Sequence, residues 1–184
     1  MPETKPSAAL AGQSLAAIAK AIEERGSAPV DRWNPDHCGD SEMVILRDGS
    51  WLHQGSPISR PAMVRLFSTV LRREADGSHV LVTPVEKLSI EVERTPFRAI
   101  AMTMEGQGET RRIAFELDSG DAVIAGPDHA ITVVEEEDGP SPRVHVRHGL
   151  EAEISRPLYY ELADVALAED AKGVWSDGAF FSLA

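Results

Sequence analysis

Two serine–arginine pairs, Ser59-Arg60 and Ser155-Arg156, are the residues of this sequence best suited to chemistry with an anion. Each lies in the same tetrapeptide, Ile-Ser-Arg-Pro, at Ile58 to Pro61 and Ile154 to Pro157, and each tetrapeptide runs into apolar residues at helical spacing. A guanidinium offers a planar fork of N–H donors to a carboxylate or phosphate, and a hydroxyl adds another. The first turn of a helix contributes N–H groups that have no partner inside the helix. A cation at that end also opposes the helix dipole, so its placement needs an offset. Either of two arrangements supplies one. The arginines hold a small anionic ligand, or they reach acids such as Glu153 or Glu161 and staple a hairpin to a helix. A duplicated unit inherits its staples as readily as its sites.

A second set of reactive residue types is Asp36, His37, Cys38 and Asp40, with His53 further along. These are types that ligate zinc, and Cys38 with His37 or His53 as base is the pairing of a hydrolase-like enzyme. Adjacent residues seldom point at one ion, and neither Cys-x-x-Cys nor His-Glu-x-x-His spacing occurs, so no metal and no cofactor are expected. Cys38 is instead expected as a buried core thiol. His145 and His148 have the odd spacing that puts strand residues on opposite faces, which argues against a shared ligand. Asp128-His129 follows Gly126-Pro127 and reads as a turn. No Gly-x-Gly-x-x-Gly, Walker-type loop or Gly-x-Ser-x-Gly is present, which argues against nucleotide-binding folds and α/β-hydrolases.

The elements that must position these residues follow from the hydrophobic pattern. Ser14 is a helix N-cap followed by Leu15, Ile18, Ala19 and Ile22 at helical spacing, with Gly26 as the stop. Residues 28–40 read as an extended loop. Met43 to Gln54 reads as a hairpin about a type I′ turn at Asp48-Gly49, pairing Leu46 with Trp51, Ile45 with Leu52 and Val44 with His53. Met63, Val64, Leu66, Phe67, Val70 and Leu71 then mark a helix ending near Arg72 and Arg73.

Strands are expected at 80–82, 88–92, 97–104, 113–117, 130–134 and 144–146, with Glu135 to Asp138 as a solvated acidic loop. The second Ile-Ser-Arg-Pro leads into Leu158, Tyr159, Leu162, Val165, Ala166 and Leu167. Counted from the isoleucines, Leu66 matches Leu162 and Leu71 matches Leu167. A third hairpin turns at Asp177-Gly178 and pairs Trp175 with Phe180. Trp51, Trp175, Tyr159 and Tyr160 are core aromatics by default.

The fold class that results is α+β, antiparallel and β-rich, with repeated hairpin–helix units and an approximate internal duplication. Residues 1–12 read as an N-terminal arm, 13–77 as a helix with the first hairpin–helix unit, and 78–184 as a β-rich region with the second helix unit and the C-terminal hairpin. A formal charge of -12, from 30 acids against 18 bases, repels phosphate backbones and anionic headgroups, so neither nucleic acid nor membrane is an expected partner. One cysteine permits no internal disulfide, and Met1 to Lys5 lacks the basic start of a secretory signal, so the expected compartment is the cytoplasm.

The blocks Trp51-Leu-His-Gln-Gly-Ser-Pro-Ile-Ser-Arg60, Val82-Thr-Pro-Val-Glu-Lys-Leu88, Gly126-Pro-Asp-His129, Val144-His-Val-Arg147, Gly149-Leu-Glu-Ala152, Tyr159-Tyr-Glu-Leu162 and Gly173-Val-Trp-Ser176 occur in order. In these the chain resembles an uncharacterised proteobacterial family, domain of unknown function 1285. The resemblance implies a two-part α+β fold with repeated motifs and a ligand-binding or signalling role. It carries over no catalytic residue.

The function expected is a cytoplasmic small-ligand-binding or signal-transduction module. Its small anionic ligand is expected in a cleft between the repeats, lined by Trp51, His53, Ser59, Arg60, Ser155 and Arg156. The alternatives are a hydrolase-like or metal-dependent enzyme using the Asp36 to Asp40 loop with His53, and a protein–protein interaction module with no small ligand.

Overall fold

The computed structural model describes residues 14–25 and 28–184; the arm expected at 1–12 and the helix stop at Gly26 lie outside the described residues. The chain forms two compact units. One comprises residues 28–96 with His148–Leu150, and the other residues 14–25, Phe97–Arg147 and Glu151–Ala184. The division therefore follows Pro96 and not Gly77. Strands expected to open a second part are hydrogen-bonded into the first sheet, and the N-terminal helix belongs to the C-terminal unit.

In the N-terminal unit, β1 (Cys38–Ile45), β2 (Trp51–His53), β3 (Ser56–Pro57), β4 (Leu71–Arg73), β5 (His79–Val82) and β6 (Lys87–Val92) form one sheet ordered β3-β2-β1-β6-β5-β4. The central pair, β1 with β6, is parallel, and the outer pairs are antiparallel. Helix α2 (Pro61–Thr69) lies between β3 and β4 in sequence. Ile45, Leu71, Val82 and Ile90 are buried, Trp51 stacks on Phe67 at 6.4 Å, and Val30 packs with Val80 and Val82.

The first hairpin differs from expectation by one residue. Only Gly49 adopts positive φ, so the loop is a three-residue turn with Gly49 in the left-handed position; Leu46 donates to the Ser50 carbonyl at 2.8 Å. Ile45 therefore pairs with Trp51, Val44 with Leu52 and Met43 with His53. A one-residue slip exchanges the faces, and here it puts Ile45 and Trp51 together in the core. A bulge between Asp40 and Val44, with Glu42 at φ 56°, extends β1 back to Cys38. The expected loop is thus partly strand, and Cys38 is exposed and not buried. Its neighbours Asp36, His37 and Asp40 are exposed as well.

Helix α2 is shorter than its apolar pattern. It stops at Thr69, where the β-branched Thr69-Val70 step meets the ladder that β4 makes with β5, Leu71 pairing with Leu81. Tertiary hydrogen bonding overrides the helical period. As a result Leu71 is fully buried in a strand, whereas its expected counterpart Leu167 is 75% exposed. Leu66 is 64% exposed against 0% for Leu162, so the leucines do not match.

The C-terminal unit has a sheet of β7 (Phe97–Glu105), β8 (Arg112–Leu117), β9 (Ala122–Ile124), β10 (Ile131–Glu136), β11 (Gly139–Arg147) and β12 (Leu150–Ile154), ordered β10-β11-β12-β7-β8-β9. Its central pair, β12 with β7, is parallel. Read from β9, this is the order of the first sheet: two three-stranded meanders joined through the first strand of one and the last of the other. The internal repetition is therefore carried by the sheets.

Ile-Ser-Arg-Pro follows a local copy of its own. In both instances a two-residue type I′ turn, Gln54-Gly55 (φ 50° and 79°) or His148-Gly149 (φ 46° and 80°), leads through a strand to the tetrapeptide and a helix. The two copies stand at different places in the sheet order, the first after the first meander and the second after the second. The acidic run is also ordered differently from expectation, with Glu135 and Glu136 on β10 opposite Pro140 and Gly139.

Helix α1 (Leu15–Arg25) begins as its sequence dictates. The Ser14 hydroxyl accepts the Ala17 N–H at 3.3 Å, and Leu15 and Ile18 pack on Ala114 with Ala122 and Ile124. Helix α3 (Arg156–Ala168) buries Leu158, Leu162 and Ala166 against β7 and β13. The hairpin of β13 (Gly173–Ser176) and β14 (Ala179–Ser182) turns at Asp177-Gly178 with φ 48° and 80°, and Trp175 pairs with Phe180 as expected. Ser176 docks it: its buried hydroxyl donates to the Ala125 carbonyl at 2.7 Å and accepts the Ile113 N–H at 2.9 Å.

Candidate functional site

The two tetrapeptides end in helix N-termini that proline helps to form, since its fixed φ suits a first turn and its missing N–H costs nothing there. They enter their helices one residue out of step. Arg60 is the N-cap of α2 with Pro61 as its first residue, whereas Ser155 is the N-cap of α3 and Arg156 its first residue. Neither helix has a side-chain cap, and neither carries an acid in its first turn.

At α3, Tyr159 donates to the Ser155 carbonyl at 3.0 Å, and the N–H groups of Arg156 and Leu158 have no acceptor among the described residues. The Ser155 hydroxyl is half-buried and equally unengaged, and Arg156 is exposed. At α2, Met63 and Val64 both donate to the Arg60 carbonyl, at 3.0 and 3.3 Å, which leaves the Ala62 N–H open beside Ser59 and Arg60. Ser59 and Arg60 are exposed.

Stapling by arginine does occur in this chain, but through other residues. Arg72 donates from Nη1 to the carbonyls of Val30 at 2.8 Å and Trp33 at 2.6 Å, and pairs with Glu74 at 2.7 Å. Arg111, 5% exposed, holds both carboxylate oxygens of Glu169 at the C-terminus of α3. The hydrogen bonds from Arg111 hold the Glu169 carboxyl below the usual glutamate range. Arg143 bridges Glu136 at 2.5 Å and Glu151 at 3.2 Å. Arg60 and Arg156 have no hydrogen bond or ion pair among the described residues, to Glu153, Glu161 or any other acid.

The remaining expected site residues fall as follows. Trp51 lies in the core at 5% exposure, with its ring on Phe67. His53 is exposed on β2 beside Met43 of β1. Trp51, His53, Ser59 and Arg60 belong to the N-terminal unit, and Ser155 and Arg156 to the C-terminal one. Among the described residues no three His, Cys, Asp or Glu side chains gather as metal ligands would.

A histidine pair escaped sequence reasoning. His129 and His145 stack at 6.2 Å, and each aims Nδ1 at a backbone carbonyl, His129 at that of His145 at 3.0 Å and His145 at that of Asp128 at 2.9 Å. Sixteen residues separate them, bridged by the β10–β11 hairpin whose register no local pattern states. His148 is in the turn after β11 and not on the strand.

Family models match the chain in two parts, as the N-terminal domain of a domain of unknown function (DUF1285) over residues 28–95 and as the C-terminal domain of that protein over residues 96–183. A DUF1285 family protein from Silicibacter pomeroyi DSS-3, known from its crystal structure, is 46% identical. The match covers 92% of this chain and 94% of that one, with a TM-score of 0.80. A second crystal structure, of a DUF1285 family protein from Shewanella baltica OS155, shares the fold at 21% identity. That match covers 66% of this chain and 90% of the other, with a TM-score of 0.51. No curated protein matches the chain. Among the described residues no helix is long and apolar enough to cross a membrane. The two family models meet where the two compact units divide, and the chain belongs to the DUF1285 family.

Proposed function

We propose that this protein is a cytoplasmic small-ligand-binding module of the signal-transduction type, and that it binds anions at two separate sites, one at the first turn of α3 and one at the first turn of α2. At α3 the anion takes the Arg156 guanidinium, the Ser155 hydroxyl and the Arg156 and Leu158 N–H groups. At α2 a second anion takes Arg60, Ser59 and the Ala62 N–H. The observation that carries this reading is the contrast among the arginines. Arg72, Arg111 and Arg143 are tied to protein acceptors, while Arg60 and Arg156 stand exposed at uncapped helix N-termini with no acceptor among the described residues. A cation so placed opposes the helix dipole, and an anion there satisfies guanidinium, dipole and open N–H groups together.

The test is a melting curve in inorganic phosphate against sodium chloride of equal ionic strength. Phosphate well above its Kd stabilises the folded form by mass action, by about 2 kcal/mol at some thirty times Kd. The reading expects a rise in Tm that the Arg60→Met, Arg156→Met double variant loses while remaining folded in chloride. A wild type that melts alike in both salts, or a double variant that keeps the full rise, contradicts it.

A further inference from the structure

We draw no further inference here: the strongest candidate, the exposed apolar surface that Met63 and Leu66 give α2 and that Tyr160 and Leu167 give α3, carries none because nothing in the structure shows what covers either face.

Discussion

Replacing Ser176 by alanine removes one oxygen from the interior and leaves two backbone groups without partners. The Ser176 hydroxyl donates to the Ala125 carbonyl at 2.7 Å and accepts the Ile113 N–H at 2.9 Å, and the residue is fully buried. Ile113 and Ala125 are themselves 0% exposed, so water does not replace the lost bonds without entering the core. An orphaned buried donor or acceptor costs roughly 1–3 kcal/mol. Ala125 keeps its own N–H bond to the Ile113 carbonyl at 2.8 Å, so the local geometry is held and relaxation is limited. The expected loss for Ser176→Ala is therefore about 2–4 kcal/mol, a large part of the 5–15 kcal/mol typical of a folded domain. Urea unfolding followed by circular dichroism measures it, and the midpoint should fall without a change in slope. Ser182→Ala is the control, since that hydroxyl is on an exposed residue and serves only the Ala184 backbone. A Ser176→Ala loss no larger than the control's would refute the reasoning that this hydroxyl fastens the C-terminal hairpin to the sheet.

Gly173 is expected to resist substitution: a Cβ built on it lies 2.1 Å from the Phe181 carbonyl oxygen across the β13–β14 pair, and backbone cannot swing aside. Gly173→Ala should cost about 3 kcal/mol, lowering Tm by roughly 6–12 °C, and an unchanged melting curve contradicts this. The Asp118 carboxyl accepts the Arg98 N–H at 3.0 Å, yet desolvation pushes it up to about 6 from an ordinary 3.8. A carboxyl raised on folding favours the native state fully below its unfolded value and loses that contribution as pH rises through the folded one. Wild-type stability should thus decline between pH 3.8 and 6 on this account, by about 1 kcal/mol or less because the residue keeps part of its surface in water, which screens the partly desolvated carboxyl. Asp118→Asn keeps an acceptor for the Arg98 N–H and should flatten the decline; a variant with the same pH profile as wild type contradicts the assignment.

Much of the fold was legible because local chemistry agreed with tertiary structure. Ser14 caps α1, Asp177-Gly178 turns the last hairpin, and β5 to β8 follow their apolar runs. Reading failed where long-range pairing decided. Val70 and Leu71 continue a helical period, but the ladder with Val80 and Leu81 draws Leu71 into β4. Asp48-Gly49 looks like Asp177-Gly178, yet only the latter puts both residues at positive φ, so one register was right and the other slipped. The duplication was sensed through a tetrapeptide, whereas its larger expression is a strand order that no short motif encodes. Of the site, the arginines and serines stood out by type and position. Trp51 was named with them and proves to be core, because the corrected register turns it inward with Ile45. The His129–His145 stack and the Arg111–Glu169 pair were invisible to spacing, since each joins segments brought together only by folding.

The central claim is that the first turns of α2 and α3 each hold an anion of their own. A titration of the 15N-labelled protein with inorganic phosphate at constant ionic strength tests it most directly. The account predicts saturable shifts of the amide signals of Arg156, Leu158 and Ala62, and of the Arg60 and Arg156 side chains, with the Arg72 and Arg143 guanidinium signals unmoved. Amide shifts confined to other residues, or none that saturate, would contradict it.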